Sequence, residues 1–571
     1  MNISHILKLI LIAEIVFLFS NALAISRDYQ DSWVLEGLEI PFVLFVATYA
    51  LAFFSEKRLS LMVVLAVIGR CVFLLIPNLK YVWFQGIWID QHQQYGLANH
   101  VYNEGYIATQ DLFGVSIYGS TPFIHLTFAI FSIVLNMPVV DSVKYLPVFL
   151  SPIYPLGTYI IMKNLKFLHG TTALKYALFV SSIPISGFDY LVTGQLFGVL
   201  LAFLILTMLI MLLEKNDRRH WAILIFLIFA LAATHSSSSV LLTALLSTIM
   251  LLQKVSYFRL KSYLQIPAVF AVMSLCAAWF MFQARVTLEA ITRRIFVEVP
   301  MGRSSTVGSI PPRFFELARV DMLGAINTIL VNYGAQIFLM LLTVGGLMVM
   351  FKMRKRLNNT SKFLFITIGL MVLLVPIGFA ARASGARFLL LASPLFPIFC
   401  AIFILHTWKR RVWMRAVIFS SIILLATLQL YSCQPLIPSA NVISKDLPTS
   451  EPIVYVTSVN SIYQRQMIEF ARNYVDGRIA CDQVTRNQIT GLTEFNFSVA
   501  HLALRYPLDK NQPERTYDCF LIHVPGISGG FGEQAEMRSR HMILATIYNS
   551  SILYTNGESY ILAHDFAQQY D

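Results

Sequence analysis

The sequence predicts a polytopic α-helical membrane protein with about thirteen transmembrane helices and a small external α/β domain at the C-terminal end. Three observations point there. Of 571 residues, 57% are hydrophobic and 13% charged, whereas a water-soluble domain carries about a quarter of its residues charged. Apolar stretches long enough to cross a bilayer, about 20 residues each, recur as far as residue 432. The net charge of +12 sits in short basic clusters between those stretches, the positive-inside pattern rather than a surface for nucleic acid.

The expected spans are 5–24, 38–54, 59–77, 143–163, 172–188, 194–213, 220–235, 237–253, 262–282, 325–350, 362–380, 387–406 and 413–432. The first resembles a signal peptide at Ala22-Leu23-Ala24, but Glu14 interrupts its apolar core, and it reads as an uncleaved helix. With the N-terminus cytoplasmic, the internal links hold Lys57 and Arg58, Lys163 and Lys166, Lys215 with Arg218 and Arg219, Lys254 with Arg259 and Lys261, Lys352 to Arg356, and Lys409 to Arg415. The first opposite link carries Asp28, Asp31, Glu36 and Glu39 against Arg27 alone. This alternation holds only if the apolar stretch 121–137 does not cross. It therefore reads as a re-entrant or interfacial helix inside one long external region, 78–142, since irregular backbone at membrane depth is tolerated where protein or a cavity surrounds it. The multi-pass chain then ends outside the cell membrane.

A second external link covers 283–324, with an amphipathic first part, Ala284 to Val299, and a Gly-, Ser- and Pro-rich second part, Gly302 to Arg313. The division expected is a membrane domain, 1–432, and an external domain, 433–571. In the latter, Ile453 to Thr457, Arg478 to Asp482 and Cys519 to Val524 read as strands, Ser461 to Tyr474 as a helix, and Ser551 to Leu562 as a hairpin turning at Asn556-Gly557. Asn496-Phe497-Ser498 and Asn549-Ser550-Ser551 are glycosylation sequons on that external face. A Cys481–Cys519 disulfide is compatible with it, and no Cys/His cluster suggests zinc.

Region 78–142 holds the polar residues that suggest chemistry. It contains Gly86-Ile87-Trp88-Ile89-Asp90-Gln91-His92-Gln93-Gln94-Tyr95, Gln110-Asp111-Leu112-Phe113, and Tyr118-Gly119-Ser120-Thr121-Pro122 followed by His125. A lone acid among aromatic and amide groups at a membrane face suits a general base, since partial burial raises its proton affinity. Asp90 also suits the N-cap of a following helix, and both roles can hold at once. Arg382 and Arg387 lie in a short external link where topology needs no positive charge, and Lys144 starts another helix on that side. Such cations stabilise a phosphate leaving group, or else snorkel to lipid headgroups. His235 stands beside Ser236 to Ser239 at a helix junction, lining a groove or bonded to its neighbours.

The acid early in a large external loop, Tyr118-x-x-x-Pro122-x-x-His125, and Lys144-Tyr145-Leu146-Pro147 opening a helix together resemble the GT-C glycosyltransferases. Thr234-His235-Ser236, Arg387-Phe388-Leu389 and the hairpin Tyr554-Thr555-Asn556-Gly557 resemble archaeal members. That superfamily includes protein O-mannosyltransferases, lipid A aminoarabinose transferases and oligosaccharyltransferases. The resemblance implies sugar transfer from a polyprenyl-phosphate donor to a glycan, lipid or protein acceptor at the external membrane face, with inversion. It makes Asp90 the general base. It places His92, Tyr95, Asp111, Tyr118, His125 and His235 around sugar or acceptor, and Lys144, Arg382 and Arg387 on the lipid phosphate. Two departures separate the chain from oligosaccharyltransferases: Asp90-Gln91-His92 stands where they carry Asp-x-Asp, and there is no Trp-Trp-Asp. The expected site is metal-independent, with His92 a hydrogen-bond partner, a divalent ion being left open. Competing readings are a transporter or flippase of lipid-linked glycans, a glycan polymerase or ligase, and a sensor using 433–571. Few charges sit in midspan, Glu14 and Arg70 being the main ones, and no repeat is evident, which disfavours transport.

Overall fold

The computed structural model describes residues 59–80, 89–107, 121–165, 171–183, 194–214, 217–253, 266–282, 322–380 and 385–407, with short pieces of 418–474 and five strands beyond. The expected spans 5–24, 38–54 and 413–432 lie outside the described residues apart from single positions of the last. So do the external link 283–324 except for its last residues, the strand expected at 453–457 and the two glycosylation sequons. The chain divides into two compact units. One comprises Met1–Lys80, Ser120–Ile124 and Tyr145–Tyr431; the other comprises Tyr81–Gly119, His125–Lys144 and Ser432–Asp571. The segments 81–119 and 125–144 thus group with the C-terminal part, whereas a single cut at 432 was expected.

The first unit is helical. Its described helices are α1 (Leu59–Lys80), α5 (Ile153–Asn164), α6 (Thr171–Ser182), α7 (Gly194–Glu214), α8 (Arg218–Thr234), α9 (Ser236–Gln253), α10 (Ile266–Phe282), α11 (Met322–Lys352), α12 (Asn359–Ala380), α13 (Gly385–Ala392) and α14 (Phe396–Thr407). The others are α2 (Ile89–Glu104), in the second unit, and α3 (Phe123–Leu135) and α4 (Val139–Leu150), which run across the boundary. Helices therefore stand at ten of the expected span positions. Among the described residues, three segments are long and apolar enough to cross a membrane: Val139–Asn164, Gly194–Glu214 and Phe388–Thr407.

Two of these segments are broken rather than continuous, and proline is the cause. Pro152 follows α4, where the Ser151 hydroxyl donates to the Val148 carbonyl at 2.7 Å and α5 begins afresh at Ile153. Pro394 sits in a 3₁₀ turn between α13 and α14. Proline lacks the amide proton that would continue the ladder.

At the centre, α6 packs against α1, α5 and α14. Its residues Ala173 and Tyr176 to Ser182 are all buried, as expected of a helix surrounded by others. Phe179, Phe203, Phe396 and Phe399 fill the core. Arg70 of α1 is 3% exposed. Its Nη1 donates to the carbonyls of Ser181 (3.4 Å) and Ile183 (3.0 Å), at the C-terminal end of α6. Its guanidinium lies 4.4 Å from the Tyr154 ring centre, and Tyr154 stacks on Phe203. The midspan charge is therefore placed as a helix cap: it satisfies carbonyls left without intrahelical donors and meets the negative end of the helix dipole. Arg70→Met is expected to lower stability by about 2–4 kcal/mol, read as a lower thermal unfolding midpoint in detergent. An unchanged midpoint would mean that those carbonyls find other donors.

A polar knot ties together the ends of α5, α7 and α12. Thr360 donates to Glu214 Oε1 at 2.6 Å, and Asn358 Nδ2 reaches the Asn164 carbonyl at 3.4 Å and Glu214 Oε1 at 3.5 Å. Asn358 is the N-cap of α12, its Oδ1 accepting from the Ser361 amide at 3.1 Å. The basic clusters at Lys163, Lys215 to Arg219 and Lys352 to Arg356 adjoin this knot in the chain.

In the second unit a five-stranded sheet has the order β2-β1-β3-β5-β4. Its strands are β1 (Ile479–Cys481), β2 (Val499–His501), β3 (Cys519–His523), β4 (Ile552–Thr555) and β5 (Ser559–Ala563). The first three pair in parallel, and β5 pairs antiparallel with both β3 and β4. β1 and β3 fall on expected strands, and β4–β5 on the expected hairpin. Phe470, Ala471 and Tyr474 are helical, within the helix expected at 461–474.

Candidate functional site

Helix α2 carries the expected base. Asp90 is its second residue, inside the first turn rather than ahead of it as an N-cap. An acid there is favoured by the positive end of the helix dipole. The helix closes at Glu104, where Gly105 (φ +74°) returns its amide to the Val101 carbonyl at 3.0 Å, a left-handed cap that glycine adopts without strain.

One stripe of α2 is held against protein: Gln94 (1% exposed), Leu97 and Ala98. Positions 90, 94, 97 and 98 follow the i, i+4, i+7, i+8 spacing of a single helical face, so Asp90 stands at the head of that stripe. Position 92 is about 200° away around the axis. Positions 90 and 92 therefore lie on different faces of the helix. Among the described residues no three His, Cys, Asp or Glu side chains converge as a metal set.

Three buried polar atoms of this region lack a hydrogen-bond partner among the described residues: Gln94 Oε1, His100 Nε2 and His125 Nε2. His100 also meets the Tyr106 ring edge-on at 4.8 Å. Tyr95, partly buried, lies between Gln94 and this contact in the chain. His125, 2% exposed, is the third residue of α3.

The 13-residue helix α3 falls within the stretch expected not to cross. It ends in a two-bond cap: the Asn136 amide donates to Ile133 (3.3 Å), the Met137 amide to Ser132 (3.1 Å), and Asn136 takes φ 50°. Pro138 then starts α4 at once, and the Ser142 hydroxyl donates to the Phe128 carbonyl at 3.0 Å. That bond links the two helices. Lys144 lies within α4, 3% exposed, one turn after Asp141.

His235 belongs to a different place. It ends α8 with extended backbone, and its Nδ1 accepts from the Ser238 amide (3.3 Å) and contacts the Ser238 hydroxyl (2.8 Å). It thereby caps α9. Ser239 donates to the carbonyls of Leu231 and His235. Gly198 of α7 presses against this junction: a Cβ there would lie 2.7 Å from Ser238 Oγ and 2.8 Å from His235 Cβ. Ser238 and Ser239 are thus bonded within this junction. Of the remaining expected residues, Asp111, Tyr118 and Arg382 lie outside the described residues, and Arg387 is the third residue of α13. Gln94 and His100 were not among the residues expected from sequence. The 90-94-97-98 spacing was the signal that could have found Gln94.

No family model matches the sequence, and no curated protein matches it. The fold is similar to that of an archaeal oligosaccharyltransferase. With the Archaeoglobus fulgidus protein in complex with zinc and sulfate, the TM-score is 0.50 at 11% identity, over 88% of this chain and 73% of that chain. With its apo form the TM-score is 0.49 at 11% identity, over 91% and 76%. With the AglB protein of that organism bound to an inhibitory peptide and dolichol-phosphate, it is 0.48 at 12% identity, over 78% of this chain and 64% of that chain. This chain thus spans less than two thirds of that relative's length. Oligosaccharyltransferases are GT-C proteins, so the likeness in fold agrees with the resemblance read from the sequence.

Proposed function

We propose that this protein is a GT-C-type glycosyltransferase that moves a sugar from a polyprenyl-phosphate donor to a glycan, lipid or protein acceptor at the external face of the cell membrane. The observation that carries the reading is helix α2: a polar helix with an acid in its first turn, on the same stripe as a buried amide whose oxygen has no partner among the described residues. Fold alone does not fix activity, and the neighbouring fold raises the reading without naming its substrate. The lipid class follows from the resemblance read from the sequence.

In this reading Asp90 takes the proton of the acceptor hydroxyl as that oxygen attacks the anomeric carbon. The bond from sugar to phosphate breaks, with inversion, and the polyprenyl phosphate leaves. Arg387, Arg382 and Lys144 receive the charge on the phosphate. No ion is assigned to positions 90 and 92, and a chelator is expected to leave the rate unchanged. The full set of thirteen spans, with the N-terminus inside and 433–571 outside as an α/β domain, belongs to the same proposal. The knot at Asn164, Glu214 and Thr360 supports it, since it gathers helix ends next to three basic clusters.

The test is transfer in proteoliposomes. Labelled polyprenyl-phosphate sugars are offered with a native membrane extract as acceptor source, and movement of the lipid-linked sugar across the bilayer is followed in parallel. Labelled acceptor is the expected result; crossing without transfer would favour a flippase. His235→Ala separates the polymerase or ligase reading. It is expected to lose a cap, about 1 kcal/mol of stability, and to keep its transfer rate. Loss of transfer in a folded His235→Ala protein, with Asp90 dispensable, would favour that second reading.

A further inference from the structure

We infer that Gln94 is a substrate-binding residue, accepting a hydrogen bond from a hydroxyl of the donor sugar or of the acceptor; the inference rests on the glycosyltransferase reading. Gln94 is 1% exposed, and its Oε1 is without a hydrogen-bond partner among the described residues. Its neighbours on the same stripe, Leu97 and Ala98, are apolar and buried. An aliphatic residue would satisfy the packing there at lower cost, because a buried amide oxygen without a donor forfeits its hydration and receives nothing in return. Buried polar atoms in native proteins nearly always have partners, so an unfilled acceptor beside a candidate base marks a place for a ligand donor. The helix puts position 94 one turn beyond position 90, about 6 Å along the axis and about 40° around it. A single monosaccharide bridges that separation. The complement of a neutral carbonyl oxygen is a hydroxyl or an amide proton, and hydroxyls are what a sugar presents. The polar contact would also fix the orientation in which the acceptor oxygen meets Asp90.

Gln94→Met, made in the full chain, preserves side-chain length and removes the acceptor. Two readouts are needed. In the absence of substrate its thermal midpoint is expected to equal or exceed that of the wild type, because an unsatisfied group has been removed. A glutamine bound to other protein groups would instead give a lower midpoint. In transfer assays with polyprenyl-phosphate hexoses, KM for one substrate is expected to rise about tenfold. A rise confined to the donor identifies the sugar hydroxyl; a rise confined to the acceptor identifies that one. Donors lacking single hydroxyls complete the cycle: with the right deoxy sugar, wild type and Gln94→Met become equal. Unchanged kinetics in Gln94→Met beside an active wild type would overturn the inference alone, as would a lowered midpoint with unchanged KM. A wild type that transfers no sugar from any donor would overturn the enzymatic reading and this inference with it.

Discussion

Gly346→Leu is expected to abolish the folded membrane unit. Helices α11 and α14 approach each other more closely than a side chain permits: a Cβ at Gly346 would lie 2.3 Å from the Phe399 carbonyl oxygen and 2.9 Å from its carbon. These are backbone atoms of a buried helix, so no rotamer change relieves the clash, and the helices must separate. A Cβ at Gly345 would lie 2.6 Å from the Phe403 ring in the same interface. Without water to drive apolar faces together, helices in lipid associate through such close packing of small residues. The interface also holds Thr343, bonded to Leu339 at 2.7 Å and in contact with Cys400. Gly346→Ala is expected to cost about 3 kcal/mol, and the leucine variant to yield no monodisperse protein by size-exclusion chromatography. Gly369 in α12 is the control, because nothing lies within 4 Å of a Cβ there. Gly369→Ala should stabilise by about 0.5–1 kcal/mol. Equal midpoints for Gly346→Ala and wild type would show that the two helices are not packed this closely.

Asp90→Asn is expected to lower kcat by about 10²–10⁴-fold, the usual contribution of a positioned base. The amide keeps the shape and removes the basic oxygen. The thermal midpoint should fall only slightly, by the loss of one charge in the first turn, about 0.3–1 kcal/mol. A structural acid would give the opposite pattern, with a large drop in midpoint and a preserved rate. Asp90→Glu keeps the base but moves it by one methylene, and an intermediate rate is expected from misplacement.

The helical part was legible because bilayer-length apolar runs leave a strong one-dimensional signal, and α1 and α7 begin at the expected residues. Breaks at Pro152 and Pro394 were visible as prolines, yet an apolar run on both sides masks them in a hydropathy reading. Arg70 illustrates what sequence cannot give. It stood in the sequence as one of few midspan charges, with no partner near it; its partners, Ser181 and Ile183, are more than one hundred residues away. The same holds for Gly198 and Gly346, whose need for glycine comes from another helix rather than from their own backbone. The reading of His235 went further, since the serines next to it already contained its partner, Ser238. Gln94 escaped notice because amides on a polar helix look solvated until burial is known. The grouping of 81–119 and 125–144 with the C-terminal sheet was likewise invisible, as chain order separates them by some three hundred residues.

The central claim is that a lipid-linked sugar is transferred with Asp90 as base. Its most direct test compares wild type and Asp90→Asn in proteoliposomes with the same labelled polyprenyl-phosphate sugars and acceptor extract, after both proteins are found equally folded by thermal unfolding. The account predicts labelled acceptor from the wild type and product at or near background from Asp90→Asn. Equal product from the two proteins would contradict it and remove Asp90 from the mechanism.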